Sequence, residues 1–325
     1  MRIVITGGAG FIGANLCRCL LEAGHEVGAL DDLSTGRVAN LDGLDVELVE
    51  GSIVDRPLVR RVLDGADAVV HLAARGSVPR SLADPLASHE ANATGTAEVL
   101  EAARLGGVGH VVVASSSSVY GANPTLPKHE ELAVAPLSPY GAGKLLTESL
   151  ALAYQHSFGL PVLAFRFFNV FGPLQPADHD YAAVIPRFID AALADRPVEV
   201  HGDGKQSRDF TYVGTLVNLV ADALARRATH EGPVNLAFGS RISLLEVLDH
   251  LEQLLGRPIA RTHVAARAGD VRHSQSDATR LLALFPSVAA VPFKEGLSAT
   301  VAWFRSGGRR CGGAPTRPPR RPWPA

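Results

Sequence analysis

The sequence predicts an α/β protein: a doubly wound parallel sheet, followed by a smaller mixed α/β part. Three observations predict this fold. Short apolar runs alternate with helical patterns over the first 170 residues. These runs are continuously apolar and rich in β-branched residues, as in strands that are covered on both faces. A glycine-rich turn joins the first such strand to the first helix.

The alternation of strands and helices indicates βαβ units and therefore a parallel sheet. We predict strands at residues 2–6, 25–30, 46–50, 67–73, 109–115 and 161–168. We predict helices at residues 11–23, 86–105, 139–158, 187–194, 213–226 and 243–255. His71, in the fourth strand, is predicted to be a packed side chain rather than a base or a ligand.

The turn after the first strand carries the pattern G-x-x-G-x-x-G at Gly7, Gly10 and Gly13. The first glycine permits the tight turn, and the second allows a pyrophosphate to approach the backbone. The third allows the helix to pack closely on the strand, and the helix N-terminus presents free N–H groups to the phosphates. The strand–turn–helix context is the one that a dinucleotide-binding motif requires.

Asp31 ends the second strand, eighteen residues after Gly13. A carboxylate at this place can accept hydrogen bonds from both hydroxyls of the adenosine ribose, and it repels a 2′-phosphate. The glycines and the acid together therefore predict a dinucleotide site that prefers NAD to NADP.

A serine run, "VVVASSSSVYG" at 111–121, ends the fifth strand, where open α/β sheets bind ligands. Tyr140 and Lys144 follow, four residues apart on one face of the predicted helix 139–158. Five tyrosines and four lysines in the chain make a chance Tyr-x-x-x-Lys pair rare, with about 0.06 pairs expected. A cation beside a phenol favours the phenolate, so we expect a lowered pKa for Tyr140 and a role as general base.

After residue 170, prolines interrupt the pattern and shorten the helices. We predict a nucleotide-binding domain over 1–170, to which later segments return, and a substrate-binding part over 171–305. The last twenty residues, 306–325, hold five arginines, no acid and many prolines and glycines. That composition predicts a disordered basic tail.

The net charge of −2 over 325 residues gives no reason to expect nucleic acid or a membrane as a partner. The three cysteines, Cys17, Cys19 and Cys311, have no metal-ligand spacing and form no disulfide framework. We therefore expect no metal and a cytoplasmic setting. No apolar run is long enough to span a bilayer.

These motifs together resemble the extended short-chain dehydrogenase/reductase superfamily, over residues 1–305. The segments "GSVPRS" (76–81), "RFFNVFG" (166–172), "GDGKQSRDFTYV" (202–213) and "GDVRHSQ" (269–275) resemble the NAD-dependent UDP-glucose and UDP-N-acetylglucosamine 4-epimerases. The resemblance implies a Rossmann-like fold, NAD as cofactor, a UDP-sugar substrate and a homodimer formed by the helices near 86–105 and 139–158.

The resemblance also implies the roles of individual residues. It implies a catalytic group of Ser116, Tyr140 and Lys144. It implies cofactor contacts for Gly7, Gly10, Phe11, Ile12, Gly13, Asp31, Ser52, Ile53, Leu72, Ala73, Ala74, Asn92, Tyr140, Lys144 and Val170. It implies substrate contacts for Ser116, Ser117, Asn169, Val184, Arg208, Arg267, Asp270 and Ser274. Among these, Asn169, Arg208 and Arg267 would bind the UDP pyrophosphate, and Asp270 the uridine ribose.

The sequence departs from the family pattern at Ser52, where the family often has an aspartate that holds the adenine amino group. At Ser274, many epimerases restricted to UDP-glucose have a tyrosine. A serine leaves more room beside the C2 substituent of the sugar, which predicts that an N-acetyl group is accepted.

Three alternatives to a hexose 4-epimerase remain open. A nucleotide-sugar dehydratase or decarboxylase of this superfamily has a glutamate shortly after the catalytic serine, where this chain has Ser117 and Ser118. A UDP-glucuronate 4-epimerase would need an arginine for the carboxylate, with Arg75, Arg80 and Arg187 as candidates. A redox sensor that only binds NAD(H) would commonly lack the tyrosine or the lysine.

Overall fold

The computed structural model describes residues 1–178, 182–265 and 272–308. Its strands are β1 (Arg2–Thr6), β2 (Glu26–Asp31), β3 (Val46–Glu50), β4 (Ala68–His71), β5 (Val111–Ser116), β6 (Val162–Phe167), β7 (Asn169–Phe171), β8 (Val198–His201), β9 (Ser207–Arg208), β10 (Phe210–Tyr212), β11 (Val234–Leu236), β12 (Ile242–Ser243) and β13 (Arg261–Val264). Its helices are α1 (Phe11–Glu22), α2 (Arg56–Leu63), α3 (Val78–Ala83), α4 (Pro85–His89), α5 (Gly95–Leu105), α6 (Pro139–Phe158), α7 (Val184–Leu193), α8 (Val213–Arg226), α9 (Leu244–Leu255), α10 (Thr279–Leu284) and α11 (Phe293–Arg305).

The central sheet of the described chain contains seven parallel strands in the order β11-β6-β5-β4-β1-β2-β3. The strand order reverses beside β1, so the sheet is doubly wound, as predicted. One apolar core lies between the sheet and helices α1 and α8, and a second lies under α2, α5 and α6. The central strands are buried on both faces, which is why they appear as unbroken apolar runs in the sequence.

A third core joins α7, α9 and α11 to the short strands β8 and β10. This part begins near residue 170, and β11 returns from it to the edge of the central sheet. The boundary at residue 170 stays a prediction. The predicted tail lies outside the described residues, apart from 306–308. Within the described ranges, no helix is long and apolar enough to cross a membrane.

The predicted helix at 86–105 is interrupted. The α-helical pattern of α4 changes to a π-helical turn at Glu90–Thr94 before α5 begins. The carbonyl of Asn92 in this turn accepts hydrogen bonds from the hydroxyls of Thr96 (2.7 Å) and Thr147 (3.0 Å). These two side chains thus bond to the backbone at the π-helical turn. Such turns are often found at functional sites.

Candidate active site

Two adjoining cavities lie at the carboxyl ends of the central strands. The first has a volume of about 1070 Å³ and extends from the turn after β1 to the end of β5. The second has a volume of about 470 Å³ and lies between β7, α7 and β9. Ser117, Ser118 and Asn169 line both cavities, so the two spaces meet beside the end of β5.

The glycine-rich turn forms one end of the first cavity. Gly7 has φ +75°, and its N–H donates to the Leu30 carbonyl at 2.7 Å. A Cβ at Gly13 would lie 2.1 Å from the Gly7 carbonyl oxygen, so only glycine allows α1 to pack this closely on the turn. No side chain caps α1, and its first turn holds no acidic residue. Its N-terminal N–H groups are therefore available to an anion in the cavity.

Asp31 lies in the cavity wall at the end of β2. Its carboxylate accepts hydrogen bonds from the N–H groups of Ala9 and Leu33, both at 2.9 Å. The backbone at Gly36 also encloses the carboxylate of Asp31 closely, because a Cβ at Gly36 would lie only 2.6 Å from the Asp31 Oδ1. Burial raises the pKa of Asp31, and the N–H donors act in the opposite direction. The position suits a carboxylate that receives ribose hydroxyls.

The other predicted cofactor residues line the same cavity, with one exception. The residues that line it are Phe11, Ile12, Ser52, Ile53, Leu72, Ala73, Ala74 and Val170. Asn92 does not line either cavity. Its Oδ1 accepts from the Arg75 N–H at 2.7 Å, and its Nδ2 donates to the Arg75 carbonyl at 3.3 Å. The amide of Asn92 thus holds the loop after β4, and its contact with the cofactor stays a prediction.

The predicted catalytic residues converge where the cavities meet. The side chain of Ser138 caps α6 by accepting from the Gly141 N–H at 3.1 Å, and Pro139 occupies the first helical position. Tyr140 and Lys144 then face the cavity one turn apart, next to Ser116 at the end of β5. The Lys144 Nζ donates to the Ala114 carbonyl at 2.7 Å, which ties α6 to the strand. Burial lowers the pKa of Lys144 to about 8.

The pKa of Tyr140 differs from our expectation. The sequence predicted a value below the ordinary one, whereas the structure gives a raised pKa. Burial of the phenol is the larger effect, and the interaction with the Ser116 hydroxyl only partly offsets it. The Ser116 hydroxyl itself accepts from the Ser118 N–H at 3.1 Å, which orients it at the end of β5.

Ser116 lines only the first cavity, and the second cavity contains the other predicted substrate residues that the structure describes. These are Ser117, Asn169, Val184, Arg208 and Ser274. The Asn169 Nδ2 and the Arg208 Nη1 are held by the backbone carbonyls of Asp209 (3.2 Å) and Ser207 (3.0 Å). Arg267 and Asp270 lie outside the described residues, so their predicted contacts stay predictions.

The three arginines proposed for a carboxylate differ in their surroundings. Arg187 lines the second cavity and pairs with Glu199 at 3.1 Å. Arg75 lines the first cavity and pairs with Asp84 at 3.3 Å. Arg80 also lines the first cavity.

Known proteins with similar sequences belong to a family of NAD-dependent enzymes. The model of the "NAD dependent epimerase/dehydratase family" matches residues 3–237. The UDP-glucose 4-epimerase of Mycolicibacterium smegmatis is 38% identical over 315 residues, covering 94% of this chain and 99% of that protein. The probable UDP-glucuronate 4-epimerase of Rhizobium meliloti is 33% identical, covering 95% and 98%.

The chain belongs to the NAD-dependent epimerase/dehydratase family. The solved UDP-N-acetylglucosamine 4-epimerase of Methanobrevibacter ruminantium M1, in complex with UDP-N-acetylmuramic acid, superposes with a TM-score of 0.89 at 34% identity, covering 94% of this chain and 98% of that one. A UDP-N-acetyl-α-D-glucosaminuronate decarboxylase and an NDP-hexosamine 5,6-dehydratase are also among the similar proteins. Family membership therefore establishes NAD dependence and leaves the reaction to be argued from the site.

The residues present fit the cofactor of the family. The uncapped N-terminus of α1 and the glycine turn suit a pyrophosphate, and Asp31 suits the adenosine ribose. The first cavity continues from this turn to Tyr140 and Lys144, so a dinucleotide bound along it reaches the catalytic residues.

Two polar residues of the site were missed by the sequence reasoning. Gln175 is buried and lines both cavities, and Lys128 is buried and lines the second. Neither belongs to a motif that predicts burial. The rarity of lysine was the one available signal for Lys128, since the chain has only four.

Proposed function

We propose that this enzyme inverts C4 of a UDP-hexose: it interconverts UDP-N-acetylglucosamine with UDP-N-acetylgalactosamine, UDP-glucose with UDP-galactose, or both. The observation that carries the proposal is the arrangement at the junction of the cavities. Ser116, Tyr140 and Lys144 form a proton-transfer site there, and no carboxylate lies on the segment 116–118 beside them.

The proposed mechanism uses a transient 4-keto sugar. The glycine turn, Asp31 and Lys144 would hold NAD⁺, which would supply the acceptor and later the donor of the C4 hydride. Tyr140, as the phenolate, removes the proton of the C4 hydroxyl, and the Ser116 hydroxyl bridges the two oxygens. In this mechanism the raised pKa of Tyr140 would be overcome by the positive charges of Lys144 and of the bound nicotinamide. Asn169 and Arg208 hold the UDP while the keto sugar turns, and Tyr140 then returns the proton to the sugar with C4 inverted.

A dehydratase or a decarboxylase is less well supported. Eliminating water from the sugar requires an acid and a base near C5 and C6. Ser117 and Ser118 occupy the positions after Ser116, and hydroxyls of ordinary pKa do not serve this purpose. The carboxylates of the described residues that line the cavities are Asp31, Asp32, Glu90 and Glu199, and none lies on that segment.

Gln175 and three arginines are the polar residues that bear on the choice of sugar. The Gln175 Nε2 donates to the Val170 carbonyl at 3.1 Å, which fixes the orientation of the amide because the flipped form would oppose two oxygens. Its Oε1 is buried and has no hydrogen-bond partner among the described residues. UDP-glucuronate is the alternative substrate, since Arg80, Arg75 and Arg187 line the cavities.

The proposal is tested by incubating the NAD-loaded enzyme with a UDP-hexose, a UDP-N-acetylhexosamine and UDP-glucuronate, and by identifying the products by NMR. We expect inversion at C4 of at least one neutral sugar. The Ser274→Tyr variant should lose turnover of UDP-N-acetylglucosamine selectively, because the ring crowds the C2 substituent. Loss of water or carbon dioxide from the sugar would contradict the proposed reaction, and equal turnover by both proteins would contradict the role of Ser274.

We further propose that the enzyme is a cytoplasmic homodimer. The absence of any disulfide framework among the three cysteines supports the location. Exposed leucines on α4 and α6 support the dimer, because these two helices pack together and large exposed apolar side chains mark interaction surfaces.

A further inference from the structure

Lys128 places a positive charge inside the wall of the second cavity. The residue is only 6% exposed, and its Nζ donates to the Asn123 carbonyl. The ammonium also lies 5.9 Å from the centre of the Tyr120 ring. No carboxylate pairs with it anywhere in the described ranges. A buried cation without a counter-charge is costly, so its presence calls for a function.

The backbone holds Lys128 firmly in this wall. Its N–H donates to the Gln275 carbonyl at 2.8 Å, and its carbonyl accepts from the Asp277 N–H at 2.8 Å and from the Asn235 Nδ2 at 2.9 Å. The neighbouring segment carries Ser274, which lines the same cavity. The side chain therefore cannot reach bulk solvent by a movement of its loop without breaking these bonds.

The nearby acids bind other groups. Glu148 forms two hydrogen bonds with Arg166, at 2.7 and 3.0 Å. Glu130 accepts from the Asn235 N–H at 2.8 Å. An ammonium has three donors, and Asn123 takes one of them, so two N–H groups of Lys128 remain without an acceptor in the described chain. Burial alone lowers the pKa of Lys128.

We propose that Lys128 is a specificity residue that donates a hydrogen bond to a carbonyl-type oxygen on a substituent of the sugar ring. The inference rests on the proposed function, since it assumes a UDP-sugar in the second cavity. Two substituents carry such an oxygen: an N-acetyl group at C2 and a carboxylate at C6. A hydroxyl oxygen is a poorer acceptor than a carbonyl or carboxylate oxygen, so UDP-glucose gains a weaker bond.

The test compares the NAD-loaded wild type with Lys128→Met by calorimetric titration of UDP, UDP-glucose, UDP-N-acetylglucosamine and UDP-glucuronate. We expect Lys128→Met to weaken one of the last two ligands about ten- to hundredfold, as for the loss of a charged hydrogen bond. UDP and UDP-glucose should bind nearly as before. The ligand that is weakened identifies the substituent.

Lys294→Met is the matched control, because Lys294 is exposed at the start of α11. If Lys128→Met does not fold, Lys128→Gln keeps a donor for the Asn123 carbonyl, removes the charge and is tested in the same way. Equal weakening of all four ligands, or of none, would overturn the role of Lys128 and leave the proposed function intact. Failure of the wild type to bind any UDP-sugar would overturn both.

Discussion

Tyr140 is the residue on which the proposed chemistry depends most. In the proposed mechanism its phenolate is the general base, with Ser116 beside it and Lys144 one turn away. Tyr140→Phe removes the base and keeps the ring, so we expect turnover to fall about 10²–10⁴-fold with little change in the binding of NAD or UDP-sugar. Initial rates and titrations with both ligands measure these two effects.

Tyr154→Phe is the control for this substitution. Tyr154 lies on the same helix, and its hydroxyl donates to Glu101 at 3.2 Å, away from the cavities. Its loss should leave turnover close to that of the wild type. Substantial turnover by Tyr140→Phe would show that another group is the base.

The buried His71 makes the stability of the folded protein depend on pH. The ring is buried, with Nδ1 2.7 Å from the Thr6 hydroxyl and Nε2 3.0 Å from the Thr96 hydroxyl. The prediction of a packed histidine agrees with this position. Burial and the charge of Lys144 lower its pKa to about 3. The unfolded chain therefore binds a proton below pH 6.5 that the folded chain does not bind, and stability falls as the pH decreases from 6.5 towards 3.

Urea unfolding at pH 7 and pH 5 tests this effect. We expect the wild type to lose about 2 kcal/mol more of its free energy of unfolding than His71→Asn over this interval. The other titrating groups are common to both proteins and cancel in the comparison. Identical losses would show that His71 is not held neutral in the folded state.

Residues in a motif could be predicted, and isolated buried residues could not. Asp31 and Ser116 end predicted strands, and Tyr140 belongs to a Tyr-x-x-x-Lys pair. These patterns predicted that all three residues lie at the cavity. Lys128 is held by neighbours distant in sequence, the 275–277 segment, and Gln175 is buried by the packing of the cavity wall. The raised pKa of Tyr140 also depends on burial, which the motif does not reveal.

Helix α6 is anchored to the sheet by a stripe of side chains four residues apart. Lys144 bonds to β5, and Glu148 accepts from the Ser115 hydroxyl at 2.6 Å and from Arg166 on β6. The Glu148–Arg166 pair is buried, with 3% and 4% of the side chains exposed. Glu148→Gln leaves a buried guanidinium without its counter-charge, so we expect a loss of about 3–5 kcal/mol in the free energy of unfolding.

Glu98→Gln is the matched comparison for this ion pair. Glu98 binds Arg56 through two bonds of 2.7 Å, but the arginine is largely exposed. We expect a much smaller loss there because water screens the charges. Equal losses in the two variants, measured by urea unfolding, would contradict the account of how α6 is held.

Elements with strong periodicity were predicted well, and irregular ones were not. Helices α6, α8 and α9 lie within one residue of their predicted ranges: α8 and α9 each have a clear apolar face, and α6 is bounded by the Ser138 cap and by Gly159. The π-helical turn at Glu90–Thr94 was missed because its cause is tertiary, the bonding of Thr96 and Thr147 to one carbonyl. Sequence periodicity carries no signal for such a contact.

At the scale of the whole molecule, we propose that exposed leucines on neighbouring helices form the face of a dimer. Leu86 is 81% exposed on α4, and Leu82, Leu137 and Leu146 are exposed on or beside α3 and α6. We expect the wild type to be a dimer and the double variant Leu86→Glu, Leu146→Glu to be a monomer, because charges cannot be buried in that face. Light scattering after gel filtration measures the mass of each.

Leu282→Glu serves as the control for the dimer, since Leu282 is 45% exposed on α10, away from these helices. It should remain dimeric. A monomeric wild type would contradict the proposed assembly.

The central claim is that one molecule of enzyme removes and returns the same hydrogen at C4 of the sugar. UDP-N-acetylglucosamine or UDP-glucose carrying deuterium at C4, incubated with the NAD-loaded enzyme in ordinary water, tests it most directly by NMR. The account predicts a product inverted at C4 that still carries deuterium there. Inversion with loss of the deuterium to solvent, or a product that has lost water, would contradict it.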